Sequence, residues 1–380
     1  MKIAIVICEY NPFQNGHAYH LAQTRKKTGC DKIICVMSGN VTQRGELAIA
    51  DKYERAKWAV TGGADLVVEL PPQYVLTTAS YFALGGVKIA NVIKGEKFLS
   101  FGSESEDMAS LQKVASFKEN EDFRKSLNCY LKQGNGYAKS FSLAVKEYSD
   151  DYADILSSPN NILAIEYLRA IQKTGSEVSP INVARKGGNY LDSEYNEIYS
   201  SASAVRNMLE TGDFEHIEKS VPKRVFEYLS SVDKDDIPQY RERLFTLIKY
   251  VASNGDLQTI HGVKEGIENR IKNAAAISVN LQEFWGNLRT KRYTDSYLSR
   301  TVTNMLLGNE YSTENLENEK IDHVNILAVE ENSKALLSSF DCNVITKSSA
   351  LPNDSLINSA DRLYRAIYRK TGVAMAAIKR

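Results

Sequence analysis

The chain has 380 residues, 43% of them hydrophobic and 25% charged, an ordinary globular mixture with length for roughly two or three domains. Lysine plus arginine balances aspartate plus glutamate at 47 each, so bulk charge offers nucleic acid no attraction and only local excess counts. No stretch is apolar for long enough to span a bilayer, and the first apolar run gives way to Glu9 after Cys8, which excludes a secretory signal and points to a cytoplasmic protein with no membrane role.

In chain order, residues 2–8, 32–37, 65–70 and 97–101 are short, rich in β-branched side chains and bounded by turn or polar residues, and they read as buried parallel strands. Helical patterns lie between them at 17–28 and 51–61, the second opened by Asp51 as a cap. This alternation predicts an α/β fold, a Rossmann-like doubly wound parallel sheet with right-handed crossovers. A helix over 160–173 leads into a further strand at 178–184. Beyond Gly212 the pattern turns helical, from 215 to 307, and the end of the chain shows strands at 324–329 and 342–346 around a short helix, then a helix at 361–368. The expected division is an α/β domain over 1–214, a helical domain over 215–310 and a small α/β piece over 311–380. The five cysteines (Cys8, Cys30, Cys35, Cys129, Cys342) are scattered with no Cys-x-x-Cys pair, so neither a disulfide framework nor a zinc site is expected.

In an open parallel sheet, ligands bind beyond the carboxyl ends of the strands, where helix N-termini also point. The first strand runs into Cys8-Glu9-Tyr10-Asn11-Pro12-Phe13-Gln14-Asn15-Gly16-His17-Ala18-Tyr19-His20-Leu21. This is not the glycine-rich dinucleotide fingerprint, and it lacks the lysine of a P-loop. Gly16 leaves room for a phosphate, and His17 opens the helix with His20 on roughly the same face. A histidine here suits chemistry at an α-phosphate, where negative charge builds on the non-bridging oxygens. Alternatively it is a turn with two structural histidines. A second feature, Ser200-Ser201-Ala202-Ser203-Ala204-Val205-Arg206, reads as a helix start with free amides and an arginine one turn in, the composition of a second phosphate clamp.

These two motifs, Pro-Phe-x-x-Gly-His and Ser-x-Ser-x-x-Arg, resemble the nucleotidylyltransferase superfamily. More closely, the chain resembles the bacterial tRNA(Met) cytidine acetate ligase family, through Met37–Asn40, Gln43–Glu46, Asp51-Lys52 and Arg55, Gly63–Pro71, Phe101–Glu104, Ser158–Leu163 and Lys291–Thr294. The resemblance implies the nucleotidylyltransferase type of sheet and a two-step reaction. Acetate attacks the α-phosphate of ATP to give acetyl-adenylate, with Mg²⁺ accompanying the phosphates, and N4 of the wobble cytidine of elongator tRNA(Met) takes the acetyl group. It assigns ATP binding to Cys8 through Leu21, Gly102, Asn160, Asn161 and Arg185. His17 would stabilise charge at the α-phosphate with His20 assisting, and Ser201, Ser203 and Arg206 would hold the pyrophosphate. Relatives commonly have histidine where Gln14 stands, and glutamine donates a hydrogen bond but carries no charge.

The segment 289–300 carries four positive charges against one negative, and 362–380 carries six basic residues and no acidic one. Arg44, Lys52, Lys291, Arg292, Arg365 and Arg369 are the candidate tRNA contacts, with Tyr293, Tyr297, Tyr364 and Tyr368 interleaved for stacking. Arg44 and Lys52 read equally as partners of Glu46 or Asp51, Asp65 and Glu69 as structural, Asn160 as a helix cap, and Trp58 and Trp285 as packing residues. Two other functions fit the clamps: a nucleotidylyltransferase acting on a small metabolite, and a non-catalytic RNA-binding protein on the same fold.

Overall fold

Five strands alternate with helices through the first half of the chain: β1 (Lys2–Cys8), β2 (Lys32–Ser38), β3 (Leu66–Leu70), β4 (Glu96–Ser103) and β5 (Ser179–Ala184). They pair in parallel in the order β5-β4-β1-β2-β3. The structure is a computed structural model and describes residues 1–185, 198–232, 236–264, 266–368 and 376–378. The central strands are covered on both faces, which is why they read as continuous apolar runs.

Alternate side chains along each strand feed two separate cores. Helices α1 (Asn15–Thr28) and α2 (Lys52–Thr61) cover the face of Ala4, Val6, Ile33, Cys35 and Val67. On the other face, α3 (Ala79–Asn91) and α4 (Pro159–Thr174) cover Ile3, Ile5, Ile34, Val36 and Val68. Helix α5 (Ala202–Thr211) returns to the first face through Val205, Met208 and Leu209. Asp51 caps α2 as its sequence suggests, accepting from the Tyr53 and Glu54 amides at 2.8 and 3.0 Å.

The helical stretch has a core of its own, built from Phe245, Ile248, Phe284, Leu288, Leu298 and Met305 and bounded by α6 (Asp236–Asn254) and α7 (Asp295–Leu307). The chain then re-enters the first sheet. Strand β6 (His323–Glu330) lies antiparallel against β3, matching Leu66 with Val329 and Val68 with Ile326, and is itself paired in parallel with β7 (Asn343–Ile345) and β8 (Ala376–Ile378). The strands expected in a separate piece over 311–380 therefore extend the N-terminal sheet. The reason is physical: β3 is buried along its whole length and needs a second partner on the side away from β2. The last helix, α8 (Leu356–Tyr368), packs against α6 and α7. Among the described residues, no helix is long and apolar enough to cross a membrane.

Candidate active site

Beyond Cys8 the chain turns through a loop in which Tyr10 has a positive φ of 49° and the Asn11–Pro12 bond is cis, and α1 begins at Asn15. Three neighbours fix this loop. The Glu9 carboxylate accepts from the Gln43 amide at 2.6 Å, and the Asn11 side chain accepts from the Ile49 amide at 2.8 Å. Arg55, fully buried, donates to the carbonyls of Ala50 and Ser38 at 3.0 and 3.1 Å and also to those of Glu9 and Gly39. One guanidinium thus ties together the chain leaving β1 and the chain leaving β2. Burial holds the Glu9 carboxyl above its usual range, against the opposing pull of the Gln43 amide, Arg55, Arg206 and Arg44.

His17 sits in the first turn of α1. Its Nδ1 accepts from the Gln14 amide at 3.1 Å, so the neutral ring carries its proton on Nε2. Desolvation, then the charge of Arg185 and His20, pull its pKa down to about 3. It is therefore a neutral hydrogen-bond donor rather than a standing cation. His20 is likewise drawn down to about 4 by burial and Arg185, and its Nε2 lies 3.1 Å from Ser100 Oγ, which in turn meets Thr24 Oγ1 at 2.6 Å. The Gln14 side chain turns back as the N-cap of α1 and accepts from the Gly16 amide. A Cβ at residue 16 would meet that side chain at 2.8 Å, so the space beside Gly16 holds the Gln14 amide rather than standing open.

The two clamp motifs meet. Arg206 Nη1 donates to the Asn11 carbonyl at 2.7 Å, and the Asn15 side chain donates to the carbonyls of Ile198 and Lys219 at 3.2 and 2.8 Å. Arg206 also reaches Ser203 Oγ at 3.3 Å and Glu46 at 3.8 Å, while Ser201 caps α5 through the Ala204 amide at 3.1 Å.

The remaining ATP candidates gather at the ends of β4 and β5. The Arg185 amide donates to the Ser103 carbonyl at 3.2 Å, and a Cβ on Gly102 would touch the Arg185 side chain at 3.3 Å. Asn161 Oδ1 accepts from the Glu104 and Ser105 amides at 2.9 and 3.0 Å, shaping the turn after β4. Ser158, not Asn160, occupies the cap position of α4, and Asn160 Nδ2 instead donates to Glu104 Oε1 at 2.5 Å. Arg185 lies 3.8 Å from the same oxygen. Glu104, given no role from sequence, therefore aligns two candidate ligands. Its sequence signal is its place at the end of the Phe101–Glu104 motif, two residues after Gly102.

The candidate RNA contacts divide. Arg44, Lys291, Arg292 and Arg365 are exposed, the Arg292 guanidinium lies 5.6 Å from the Tyr293 ring, and Tyr293 stacks on Tyr297 at 4.8 Å. Lys52 is excluded. It is fully buried between Glu69, at 2.9 Å, and Asp361, at 2.8 Å, because a buried ammonium needs carboxylates around it. Tyr364 is buried and Tyr368 stacks on Tyr240 at 4.9 Å, so both serve packing between helices rather than bases. Arg369 lies outside the described residues. Asp65 pairs with Arg25 at 2.6 Å and Trp58 is buried, both structural. All five cysteines are free thiols. Among the described residues, no three His, Cys, Asp or Glu side chains gather to hold a metal ion.

Known proteins resemble this chain along most of its length. Residues 1–376 match the family model described as HIGH Nucleotidyl Transferase. A tRNA(Met) cytidine acetate ligase from Thermoanaerobacter is 38% identical over 358 residues, covering 93% of this chain and 88% of its own. The chain belongs to the tRNA(Met) cytidine acetate ligase family. Another member of that family, from Clostridium acetobutylicum, is 37% identical over 374 residues, 94% of this chain and 91% of its own. Among solved structures, Thermotoga maritima TmcAL bound with alpha-thio ATP superposes with a TM-score of 0.86 at 26% identity over 100% of both chains.

Proposed function

We propose that this chain is a cytoplasmic ATP-dependent ligase that activates acetate and transfers the acetyl group to N4 of the wobble cytidine of elongator tRNA(Met). The observation that carries the reading is the bond from Arg206 to the Asn11 carbonyl, which brings the two clamp motifs together, in a chain that matches this family over residues 1–376. In the first step an acetate oxygen bonds to the α-phosphorus, and the bond from that phosphorus to the bridging oxygen breaks to release pyrophosphate. The Nε2–H of His17 donates to the α-phosphate oxygens as their charge grows. Arg206, with Ser201 and Ser203, holds the departing pyrophosphate. Gly102, Asn160, Asn161 and Arg185 seat the adenosine portion. Mg²⁺ travels with the triphosphate, whose own oxygens supply its ligands. In the second step the cytidine amine attacks the acetyl carbonyl, the bond from the acyl carbon to the phosphate oxygen breaks with its electron pair leaving on AMP, and the nitrogen gives up a proton to water. Activation is needed because the amine's lone pair is delocalised into the ring.

The decisive assay supplies ATP, labelled acetate and unmodified elongator tRNA(Met). Label in the wobble cytidine, together with acetate-dependent exchange of pyrophosphate into ATP, is the expected result. Folded protein that gives neither overturns the reading.

A further inference from the structure

The loop between β2 and α2 folds back as a short hairpin, bridged between Val41 and Leu47, and it touches two parts of the molecule at once. On one side its Gln43 amide holds the Glu9 carboxylate of the ATP loop. On the other, α7 grips it: Ser299 and Thr303 donate to the Gly45 carbonyl at 2.9 and 2.6 Å, and Arg300 Nη1 donates to the Gln43 carbonyl at 3.1 Å. The fit is close, since a Cβ on Gly45 would fall 2.3 Å from the Arg300 backbone nitrogen.

Arg300 is unusual in this setting. It is half-buried, and among the described residues no carboxylate pairs with it. Burial pulls its pKa to about 10, the mark of a charge held where water solvates it poorly. Its surroundings add positive charge. His261, drawn below its usual pKa mainly by burial, feels Arg300 and the exposed Lys264 as cationic neighbours. Arg44 follows Gln43 directly and is exposed, while the nearest acid on the hairpin, Glu46, lies 3.8 Å from Arg206. A guanidinium with donors to spare, partly desolvated and without a counter-ion, is a seat for a phosphate oxygen pair.

We propose that Arg300, with Arg44, forms a phosphodiester site at the junction of the 41–47 hairpin and α7, holding the RNA backbone beside the ATP loop. This rests on the tRNA-ligase reading. Its consequence is geometric: the hairpin that carries Arg300's carbonyl partner also holds Glu9, so a phosphate seated there brings the strand alongside the nucleotide cleft.

The test measures binding of unmodified elongator tRNA(Met), and of an RNA hairpin of unrelated sequence, across a series of salt concentrations. Wild type, Arg300→Gln and Arg300→Lys are compared, with thermal melting and binding of alpha-thio ATP as controls of fold. Arg300→Gln should weaken both RNAs by about tenfold and lower the salt slope by about one, and Arg300→Lys should recover most of both, since a phosphate contact reads charge and not sequence. Wild-type affinity and slope in Arg300→Gln overturn the site, as does a loss confined to melting or ATP binding, which would mark Arg300 as a bolt for the hairpin. An acidic protein competing for the same site with RNA binding unaffected by the substitution also overturns it. If wild type binds both RNAs through Arg300 yet forms no acetylcytidine, the site stands and the ligase reading falls.

Discussion

The His17 ring is neutral and held by the Gln14 amide, and in the donor role proposed for it that has two measurable results. His17→Ala should lower the rate of acetate-dependent pyrophosphate exchange by roughly a hundredfold or more, the loss typical of removing a donor aimed at developing charge. The second concerns acid. The folded pKa values of about 3 for His17 and about 4 for His20 lie below the ordinary 6.5, so the unfolded chain binds protons that the folded chain refuses. The stabilising contribution is complete above pH 6.5 and declines as pH falls through the window down to those folded values. Urea midpoints at pH 7.5 and pH 5 should therefore differ less in a His17→Gln/His20→Gln protein than in wild type. Glu104 is the third residue to try. Glu104→Ala frees Asn160 and Arg185 together, and the KM for ATP should rise about tenfold while pyrophosphate exchange at saturating ATP changes less.

Among the elements, the hairpin is the piece on which several others depend. Gly45 has φ +82° and abuts backbone of α7, so Gly45→Ala both strains the turn and pushes two elements apart. A loss of about 2 kcal/mol or more in unfolding free energy is expected, read from urea denaturation. The other joint is polar. Lys52 binds Glu69 of β3 and Asp361 of α8, Asn40 donates to Asp361 at 2.9 Å, and Asn325 of β6 donates to Glu69 at 2.5 Å. Lys52→Met leaves two buried carboxylates without their cation and should destabilise by about 3–5 kcal/mol. The same substitution has no surface effect by which to alter RNA affinity in protein that still folds.

On the scale of the whole molecule, the sheet is completed by the end of the chain. A protein cut after Gly212 lacks β6, exposes the edge of β3 and removes Asp361 from Lys52. It should fail to fold cooperatively in calorimetry, so such a truncation cannot report on whether RNA-binding segments are needed for turnover.

Strands β1 to β7, their order of appearance and the loop after β1 were legible because each is a local pattern: apolar runs of strand length, a capping Asp51, a loop at a strand end; the three-residue β8 was not. The pairing of β6 with β3 was not, since register between residues more than 250 positions apart leaves no local trace. Burial of Lys52 was hidden for the same reason. Its carboxylate partners, Glu69 and Asp361, come from β3 and α8, and Asp361 stands just before a segment that reads as basic. Gln14 was read as a charge lost from the phosphate loop, whereas its place at the head of α1 makes it a cap.

The antiparallel entry of β6 bears on how the chain is made. During synthesis β3 leaves the ribosome about 260 residues before its second neighbour does. At translation speeds of about 5–20 residues per second, the nascent sheet waits roughly ten to fifty seconds with an apolar border uncovered. A ribosome-bound holdase should crosslink to β3 throughout that interval and release it only once Glu330 has emerged.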